Sequence, residues 1–209
     1  ERYFIECGVL LLKNSRAPNG FSCNLQHLHA EPLSAIIEVE KLDYSFMITR
    51  HPVARIASEY RYQMRKKNWL RDRLGFSQWL AYAMARRALN PWHRDNHFRP
   101  QYEFELPGME IFRFEHGIDA CIKFVAERLD LPVSAQSIRE NSSPVCHFRF
   151  TADDLTLIER VYAQDLKSYQ YGMERADLLE AGIAEHMLPQ KTKMNVIREC
   201  THQKVNRRL

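Results

Sequence analysis

The sequence has no hydrophobic stretch long enough to cross a membrane. No apolar run approaches the roughly 20 residues that such a span requires, and the mean hydropathy of the chain is -0.47. We therefore expect a soluble protein or the soluble part of a lumenal one. No signal peptide is recognisable, and because Glu1 is an unusual first residue we expect the natural chain to begin upstream of it.

Cysteine is sparse and shows no metal or disulfide pattern. The chain contains 5 cysteines, an odd number with no CxxC pair, at Cys7, Cys23, Cys121, Cys146 and Cys200. This spacing indicates neither a zinc knuckle nor a dense disulfide framework. Buried free thiols are the simpler interpretation, and they favour a reducing, cytoplasmic location of the bacterial type. The alternative is the Golgi lumen, if an anchor precedes Glu1.

Glycine is also scarce, and no phosphate-binding loop is visible. None of the 7 glycines lies beside a lysine and a hydroxyl residue in a P-loop arrangement, which disfavours a nucleotide kinase. Positive charge is only slightly in excess, with a formal net charge of +4. That bias suits an anionic cofactor or substrate but is too small to indicate nucleic acid, so no nucleic-acid partner is expected.

What the chain does contain is a strand, a turn and a helix around one arginine. The 209 residues are enough for one substantial core. Tyr44 to Thr49 is a short apolar run typical of a buried parallel strand. Pro52 suits the first turn of a helix, and apolar residues at three- and four-residue spacing predict a helix from there to about Met64. Arg50 then lies at the carboxyl end of the strand.

This position suits a phosphate. Ligands of open α/β sheets bind at the carboxyl edge, and a helix amino terminus favours an anion. Arg50 is placed to bind it, Ser58 to add a hydroxyl, and Arg55 to pair with the phosphate or with a carboxylate. The competing interpretation is a core helix in which Arg50 is simply a solvated strand end.

The same residues resemble a family signature, Arg50-x-Pro52-x-x-Arg55-x-x-Ser58-x-Tyr60. It is similar to the 3'-phosphate-binding motif of sulfotransferases that use 3'-phosphoadenosine 5'-phosphosulfate (PAPS), and more narrowly to the carbohydrate type (family 2) that includes heparan 2-O-sulfotransferases. The resemblance implies that Arg50 and Ser58 hold the 3'-phosphate. It also implies an α/β three-layer sandwich with a central parallel sheet, the P-loop-NTPase-like sulfotransferase fold.

Two histidines upstream are candidates for the catalytic base. Transfer to an alcohol requires a group that takes the hydroxyl proton, and histidine titrates in the right range. His27 and His29 resemble the His-x-His of the heparan 2-O-sulfotransferase group, and we favour His27 with His29 second. Structural histidines and a metal site are the alternatives, since His93 and His97 form another pair. No third metal ligand follows from the sequence, so no metal is assigned.

A second block supports the resemblance. His97-Phe98-Arg99-Pro100-Gln101 is similar to the family's His-x-x-Pro-Gln segment, which lies over the cofactor and acceptor pocket. By this resemblance Arg99 would offset charge on the transferred oxygens. An ordinary loop cation is the alternative for Arg99.

The remaining periodic segments predict further elements. A helix is expected over Phe76–Leu89, a strand over Met109–Phe114, and a helix over Ile118–Leu129 with a buried stripe of Ile118, Ile122, Val125 and Leu129. Thr151 to Asp154 resembles a capping box before one helix that carries Leu155, Ile158, Tyr162, Leu166 and Tyr169. Residues 1–185 are assigned to the domain, and 186–209 to a basic tail or helix that is a possible homo-oligomer contact.

One part of the family pattern is absent, the Lys-x-Gly-x-Ser/Thr loop that binds the 5'-phosphosulfate. We expect a shortened chain in which Glu1–Glu6 is the remainder of the helix that follows that loop; the alternative is a degenerate protein without activity. The leading hypothesis is a PAPS-dependent O-sulfotransferase that acts on a carbohydrate or other hydroxyl acceptor and releases adenosine 3',5'-bisphosphate. The alternatives are a non-catalytic glycan-binding module of the same fold and another phosphate-handling enzyme such as a nucleotide kinase.

Overall fold

The computed structural model describes residues 27–65, 74–132 and 147–190. Its helices are α1 (Ala30–Ser34), α2 (Pro52–Met64), α3 (Phe76–Leu89), α4 (Ile118–Arg128), α5 (Ala152–Val161), α6 (Ala163–Ser168) and α7 (Arg175–Glu180), and its strands are β1 (Phe46–Thr49) and β2 (Glu110–Arg113). Short 3-10 helices cover Val39–Lys41, Gln101–Phe104, Phe114–His116 and Glu185–Met187. The predictions for residues 1–26, 133–146 and 191–209 lie outside the described residues.

The described residues form a mixed helix and strand structure with a small parallel sheet. β1 and β2 pair in parallel, from Phe46 opposite Glu110 to Thr49 opposite Arg113. Both predicted strands are therefore confirmed, each slightly shorter than its apolar run. Because the strands are parallel, their carboxyl ends lie at one edge, where the chain continues into Arg50 and into the Phe114–His116 turn.

Helix α2 has the predicted bounds, and its capping explains why it starts at Pro52. His51 is the N-cap residue, and its Nδ1 accepts a hydrogen bond from the Val53 amide at 3.2 Å. Its Nε2 lies 2.8 Å from the Gly172 carbonyl, so this nitrogen carries the proton. The imidazole thus supplies the capping acceptor that aspartate commonly provides.

The main core lies between α2, α3 and α5. Its buried aromatic residues include Tyr60, Phe76, Trp79 and Phe150. The ring centroids of Tyr60 and Trp79 are 4.9 Å apart. The Trp79 indole N–H donates to Gln63 Oε1 at 3.1 Å, which satisfies the polar atom of a buried ring. Helix α3 has the predicted bounds Phe76–Leu89.

Helix α4 is confirmed, but the predicted buried stripe is only partly confirmed, because Val125 is buried whereas both ends of the stripe are exposed. Ile118 is 39% exposed and Leu129 is 41% exposed, whereas Cys121, Val125 and Ala126 are buried. The inward face of α4 is therefore formed by Cys121, Val125 and Ala126. Packing against the neighbouring elements decides which face of the helix is buried, and the apolar residues of the helix alone do not. Cys121 is a free thiol, and burial raises its pKa to about 11.

The predicted helix after Thr151 is two helices. The capping box is confirmed, since the Asp154 amide donates to Thr151 Oγ1 at 3.1 Å and the Thr151 amide donates to Asp154 Oδ2 at 2.8 Å. α5 ends at Val161, and Tyr162 has non-helical angles (φ -111, ψ 24). The fully buried Tyr162 hydroxyl donates to the Phe98 carbonyl at 2.9 Å. This contact fixes the break between α5 and α6.

Over residues 27–65, 74–132 and 147–190, none of the helices combines the length and the apolar character needed to cross a membrane.

Candidate functional site

An open cavity of about 380 Å³ lies at the carboxyl end of β1, against the first turns of α2. It is bounded by residues from three parts of the chain: His27 and Phe104, the strand end and helix residues Arg50, Arg55, Ser58, Glu59 and Tyr62, and the loop residues Asp95, Asn96 and His97. Predicted site residues from two separate sequence motifs therefore meet here. They are His27, Arg50 and Ser58.

Arg50 reaches this cavity because its backbone is held on both sides by one amide side chain. The Arg50 amide donates to Gln101 Oε1 at 2.8 Å, and Gln101 Nε2 donates to the Arg50 carbonyl at 2.8 Å. Gln101 in turn is held by Asp165, whose Oδ2 accepts the Gln101 amide at 2.8 Å. A buried polar network thus continues the sheet edge beyond β1 and fixes the direction in which Arg50 leaves it.

The Arg50 guanidinium lies over the Phe114 ring at 4.3 Å, and its buried Nε has no hydrogen-bond partner. Within the described ranges no carboxylate forms an ion pair with it. Burial lowers the pKa of Arg50, and the nearby Glu115 charge opposes that shift; an arginine nevertheless stays protonated. A partly buried cation that faces a cavity without a bound carboxylate is electrostatically suited to an anionic ligand.

Ser58 and Arg55 both line the cavity from α2 but differ in their contacts. Arg55 donates to two backbone carbonyls, that of Arg99 at 2.7 Å and that of His97 at 2.9 Å. Among the described contacts it therefore bonds to the loop and not to a carboxylate, which corrects one of the two pairings suggested by the sequence. Arg55 holds the 97–99 segment against α2.

His27 is the predicted base that the structure brings to the cavity. Its Nδ1 is 2.6 Å from Asp95 Oδ2, and its carbonyl accepts from Asn96 Nδ2 at 2.8 Å. A carboxylate can only accept here, so Nδ1 carries the proton and Nε2 is left as the basic nitrogen. The same Asp–His pairing orients the base in hydrolase triads.

His29, the second candidate base, lies outside the cavity lining. It is 7% exposed, with its ring 5.1 Å from that of Trp92 and 6.4 Å from that of Phe104. Its buried Nδ1 has no hydrogen-bond partner among the described residues. Burial, followed by the charge of Arg99, lowers the pKa of His29. The geometry therefore favours His27 over His29 as the residue that reaches a ligand beside Arg50.

Arg99 also lies outside the cavity lining, in a place that differs from the one expected for it. Its side chain is 9% exposed; Nε donates to Asn96 Oδ1 at 3.1 Å, and the guanidinium pairs with Glu103. It also lies over the Trp92 ring at 5.3 Å. These contacts tie Arg99 to the loop that holds His27, so its described role is to position that loop. A charge-stabilising role stays a prediction.

A second histidine–carboxylate pair faces His27. His97 Nδ1 is 3.0 Å from Glu59 Oε2, and the rings of His27 and His97 are 5.0 Å apart in an edge-on arrangement. Gln63 Nε2 donates to Glu59 Oε1 at 2.6 Å. Burial acts to raise the pKa of Glu59, but His97, Gln63 and Arg55 together lower it. The carboxylate is therefore ionised and fixed by its neighbours.

The loop that supplies Asp95 and His97 has a backbone that the sequence does not reveal. Arg94, Asp95 and Asn96 have φ of 56, 59 and 63 degrees, three consecutive residues in the left-handed region. Asp and Asn tolerate this region better than most residues, but it is costly for an L-residue. Surrounding contacts, including those of Arg55 and Arg99, hold the turn. Asp95 and Glu59 are the site residues that sequence reasoning missed; the Asp-Asn turn signal between His93 and His97 was the only hint.

Comparisons of the chain with protein-family models, with curated proteins and with solved structures gave no match. Function is therefore inferred from the residues and their geometry.

Proposed function

We propose that this chain is a PAPS-dependent sulfotransferase that moves a sulfuryl group to a hydroxyl of a carbohydrate-type acceptor. The observation that supports the proposal is the meeting of Arg50, Ser58 and His27 in one cavity. Two of these residues come from the phosphate-binding signature and one from the predicted base motif. The cofactor fits because Arg50 lines the cavity and its guanidinium has no carboxylate partner among the described residues, so a phosphate can pair with this cation.

PAPS supplies the sulfuryl group, so an S–O bond to the acceptor forms while the bond from sulfur to the 5'-phosphate oxygen breaks. Arg50 and Ser58 bind the 3'-phosphate with charge-assisted and hydroxyl hydrogen bonds. His27 Nε2 accepts the proton of the acceptor hydroxyl, and Asp95 stabilises the imidazolium that forms. Arg55 and Arg99 keep the loop that carries Asp95 in place.

The proposal extends to the fold. The parallel pair β1 and β2 would be part of a larger central sheet in a three-layer, P-loop-NTPase-like arrangement, with α2 following the phosphate-binding strand. The turn between β1 and α2 supports this placement, because it puts Arg50 and the helix amino terminus at the sheet edge where such folds bind ligands.

The test is calorimetric titration of adenosine 3',5'-bisphosphate into the parent protein and into Arg50→Ala. A charge-assisted hydrogen bond contributes about 1.5–3 kcal/mol, so we expect the dissociation constant to rise by roughly 10-fold to 150-fold in the variant. Adenosine 5'-phosphate, which lacks the 3'-phosphate, should bind parent and variant with similar affinity. Loss of discrimination between the two nucleotides in Arg50→Ala would assign the 3'-phosphate to Arg50.

Arg160→Ala is the matched control, because Arg160 is exposed on α5 and its loss changes the net charge equally. It should bind the bisphosphate like the parent. Equal affinity of parent and Arg50→Ala for the bisphosphate would refute the assignment. If the folded parent binds acidic glycan but no bisphosphate, the result would favour a glycan-binding module over the sulfotransferase.

A further inference from the structure

We propose that anion binding in this cavity is coupled to protonation of His97, whose imidazolium form binds a phosphate beside Arg50. The inference rests on the proposed function, because the anion concerned is the 3'-phosphate of the nucleotide. His97 and Arg50 line the same cavity of about 380 Å³, together with Ser58. A cavity of this size lets one phosphate-bearing ligand meet all three side chains. The affinity for the anion then depends on pH.

The orientation of the His97 ring leaves one nitrogen for a ligand. Its Nδ1 is 3.0 Å from Glu59 Oε2 and carries a proton, because an ionised carboxylate can only accept. Among the described residues its Nε2 forms no hydrogen bond, and 33% of the side chain is exposed. In the neutral ring Nε2 is an acceptor and cannot bind a phosphate oxygen. In the imidazolium it is a charged donor, so an anion selects the protonated ring.

The carboxylate behind the ring is built to stabilise that positive charge. The Glu59 side chain is only 13% exposed, and Gln63 Nε2 donates to its Oε1 at 2.6 Å. Gln63 in turn accepts the Trp79 indole N–H at 3.1 Å. Burial acts to raise the pKa of Glu59, but His97 and Gln63 are among the neighbours that together lower it. A fixed, ionised partner therefore faces Nδ1 when Nε2 takes up the second proton.

One turn of α2 holds His97 at both ends. Arg55 donates to its backbone carbonyl at 2.9 Å, and Glu59, four residues later, contacts its ring. Ser58, the proposed phosphate ligand, is the residue before Glu59 and lines the same cavity. The position of the imidazole relative to the phosphate-binding helix is therefore fixed.

The charges around His97 are balanced until an anion enters. The charged and titratable groups near it are Glu59, Arg55 and Tyr62 of α2, Arg50 at the strand end, His27, and Asp95 of its own loop. Two of these groups are fixed cations and two are carboxylates. A bound phosphate adds negative charge and so favours a proton on the ring, which comes from the buffer. The positive charge on His97 disfavours a second proton on the neighbouring His27 ring, which the proposed transfer requires as a neutral base.

The experiment is calorimetric titration of the full chain with sulfate at pH 6 and pH 8, in buffers of different ionisation enthalpy. Sulfate stays a dianion across this range, so any proton uptake belongs to the protein. A charge-assisted hydrogen bond from a partly exposed group corresponds to about 10-fold in affinity. We therefore expect sulfate to bind roughly 5-fold more tightly at pH 6, with uptake of at most about half a proton per anion.

Two variants separate this coupling from a structural role. His97→Gln keeps a hydrogen-bonding side chain beside Glu59 but takes up no proton, so its affinity at pH 6 should fall toward that at pH 8. Glu59→Gln removes a negative charge from the cavity wall and should bind sulfate a few-fold more tightly than the parent at pH 8. A loss of structure would weaken binding in both variants. His186→Gln is the matched control, because His186 is exposed and does not line the cavity.

The same samples are titrated with adenosine 3',5'-bisphosphate, after circular dichroism has shown that each is folded. Its phosphates themselves titrate near pH 6, so the difference in proton uptake between parent and His97→Gln is the readout. Bisphosphate binding that needs Arg50 but shows no such difference would overturn this inference and leave the proposed function in place. Sulfate binding with uptake at His97, but without bisphosphate binding, would support the coupling and refute the nucleotide. A parent that binds neither anion would overturn both.

Discussion

Replacing Asp165 with alanine should lower the free energy of unfolding by about 2–4 kcal/mol. This carboxylate is fully buried, and it accepts the backbone amide of Gln101 at 2.8 Å and that of Tyr102 at 2.9 Å. Alanine leaves both donors without their acceptor. Because Gln101 brackets the backbone of Arg50, the same change also loosens the strand end that carries the phosphate-binding candidate.

The magnitude follows from the surroundings of the two amides. A buried donor left without a partner costs about 1–3 kcal/mol. Gln101 is buried and bears the full cost, whereas the Tyr102 amide is only part-buried, so we expect a smaller cost there. Burial raises the pKa of Asp165, and the two amides oppose that shift. The carboxylate thus carries a desolvation penalty that its removal relieves, which keeps the expected loss below the sum of two fully buried donors.

Urea unfolding of the parent, Asp165→Ala and Asp153→Ala measures the effect. Asp153 is exposed in the first turn of α5, so its replacement should change stability by no more than about 0.5 kcal/mol. Bisphosphate titration of folded Asp165→Ala should also show weaker binding than that of the parent. If Asp165→Ala unfolds within about 1 kcal/mol of the parent, the network does not hold the sheet edge as described.

Two further predictions concern buried side chains. Burial lowers the pKa of His51 below its ordinary 6.5, so the unfolded chain binds the proton first as the pH falls; stability is then full above about pH 6.5 and declines below it. The melting temperature, measured between about pH 7.5 and 5, should fall less steeply with falling pH in His51→Asn than in the parent. The remaining slope is expected from His29 and His93, whose pKa values burial also lowers. Tyr162→Phe should lose about 1–2 kcal/mol in urea, because a buried carbonyl loses its donor, while the exposed Tyr102→Phe should lose little. An unchanged pH slope, or equal losses at the two tyrosines, would contradict these assignments.

Several elements could be predicted from the sequence because their signals are local. Pro52 and the apolar period after it gave the bounds of α2, and the period alone gave those of α3. The capping box at Thr151 is also a local pattern and is confirmed. The exposure of Ile118 and Leu129 on α4 and the break at Tyr162 were not predicted, since both depend on the surfaces that these helices meet.

The candidate site likewise contains residues that the sequence predicted and contacts that only the tertiary structure shows. Arg50 and Ser58 were found from their spacing around one strand and helix, and their role as phosphate ligands stays a prediction. The sequence left His27 and His29 as rival bases and left Arg55 and Arg99 without partners. Only the tertiary structure shows which distant residues contact each other. His27 meets Asp95 across 68 residues, and Asp165 meets the Gln101 amide across 64.

The physical reason is the range of the interactions. Helix periodicity, proline geometry and capping act over a few residues, so the sequence by itself determined where α2 and α3 lie and that Arg50 follows a strand. Hydrogen bonds between buried polar groups depend on the path of the whole chain. The left-handed turn at 94–96 brings Asp95 and His97 to His27, and its contacts come from α2 and from Arg99. Only the folded chain could therefore decide which histidine lines the cavity beside Arg50 and which carboxylate contacts that histidine.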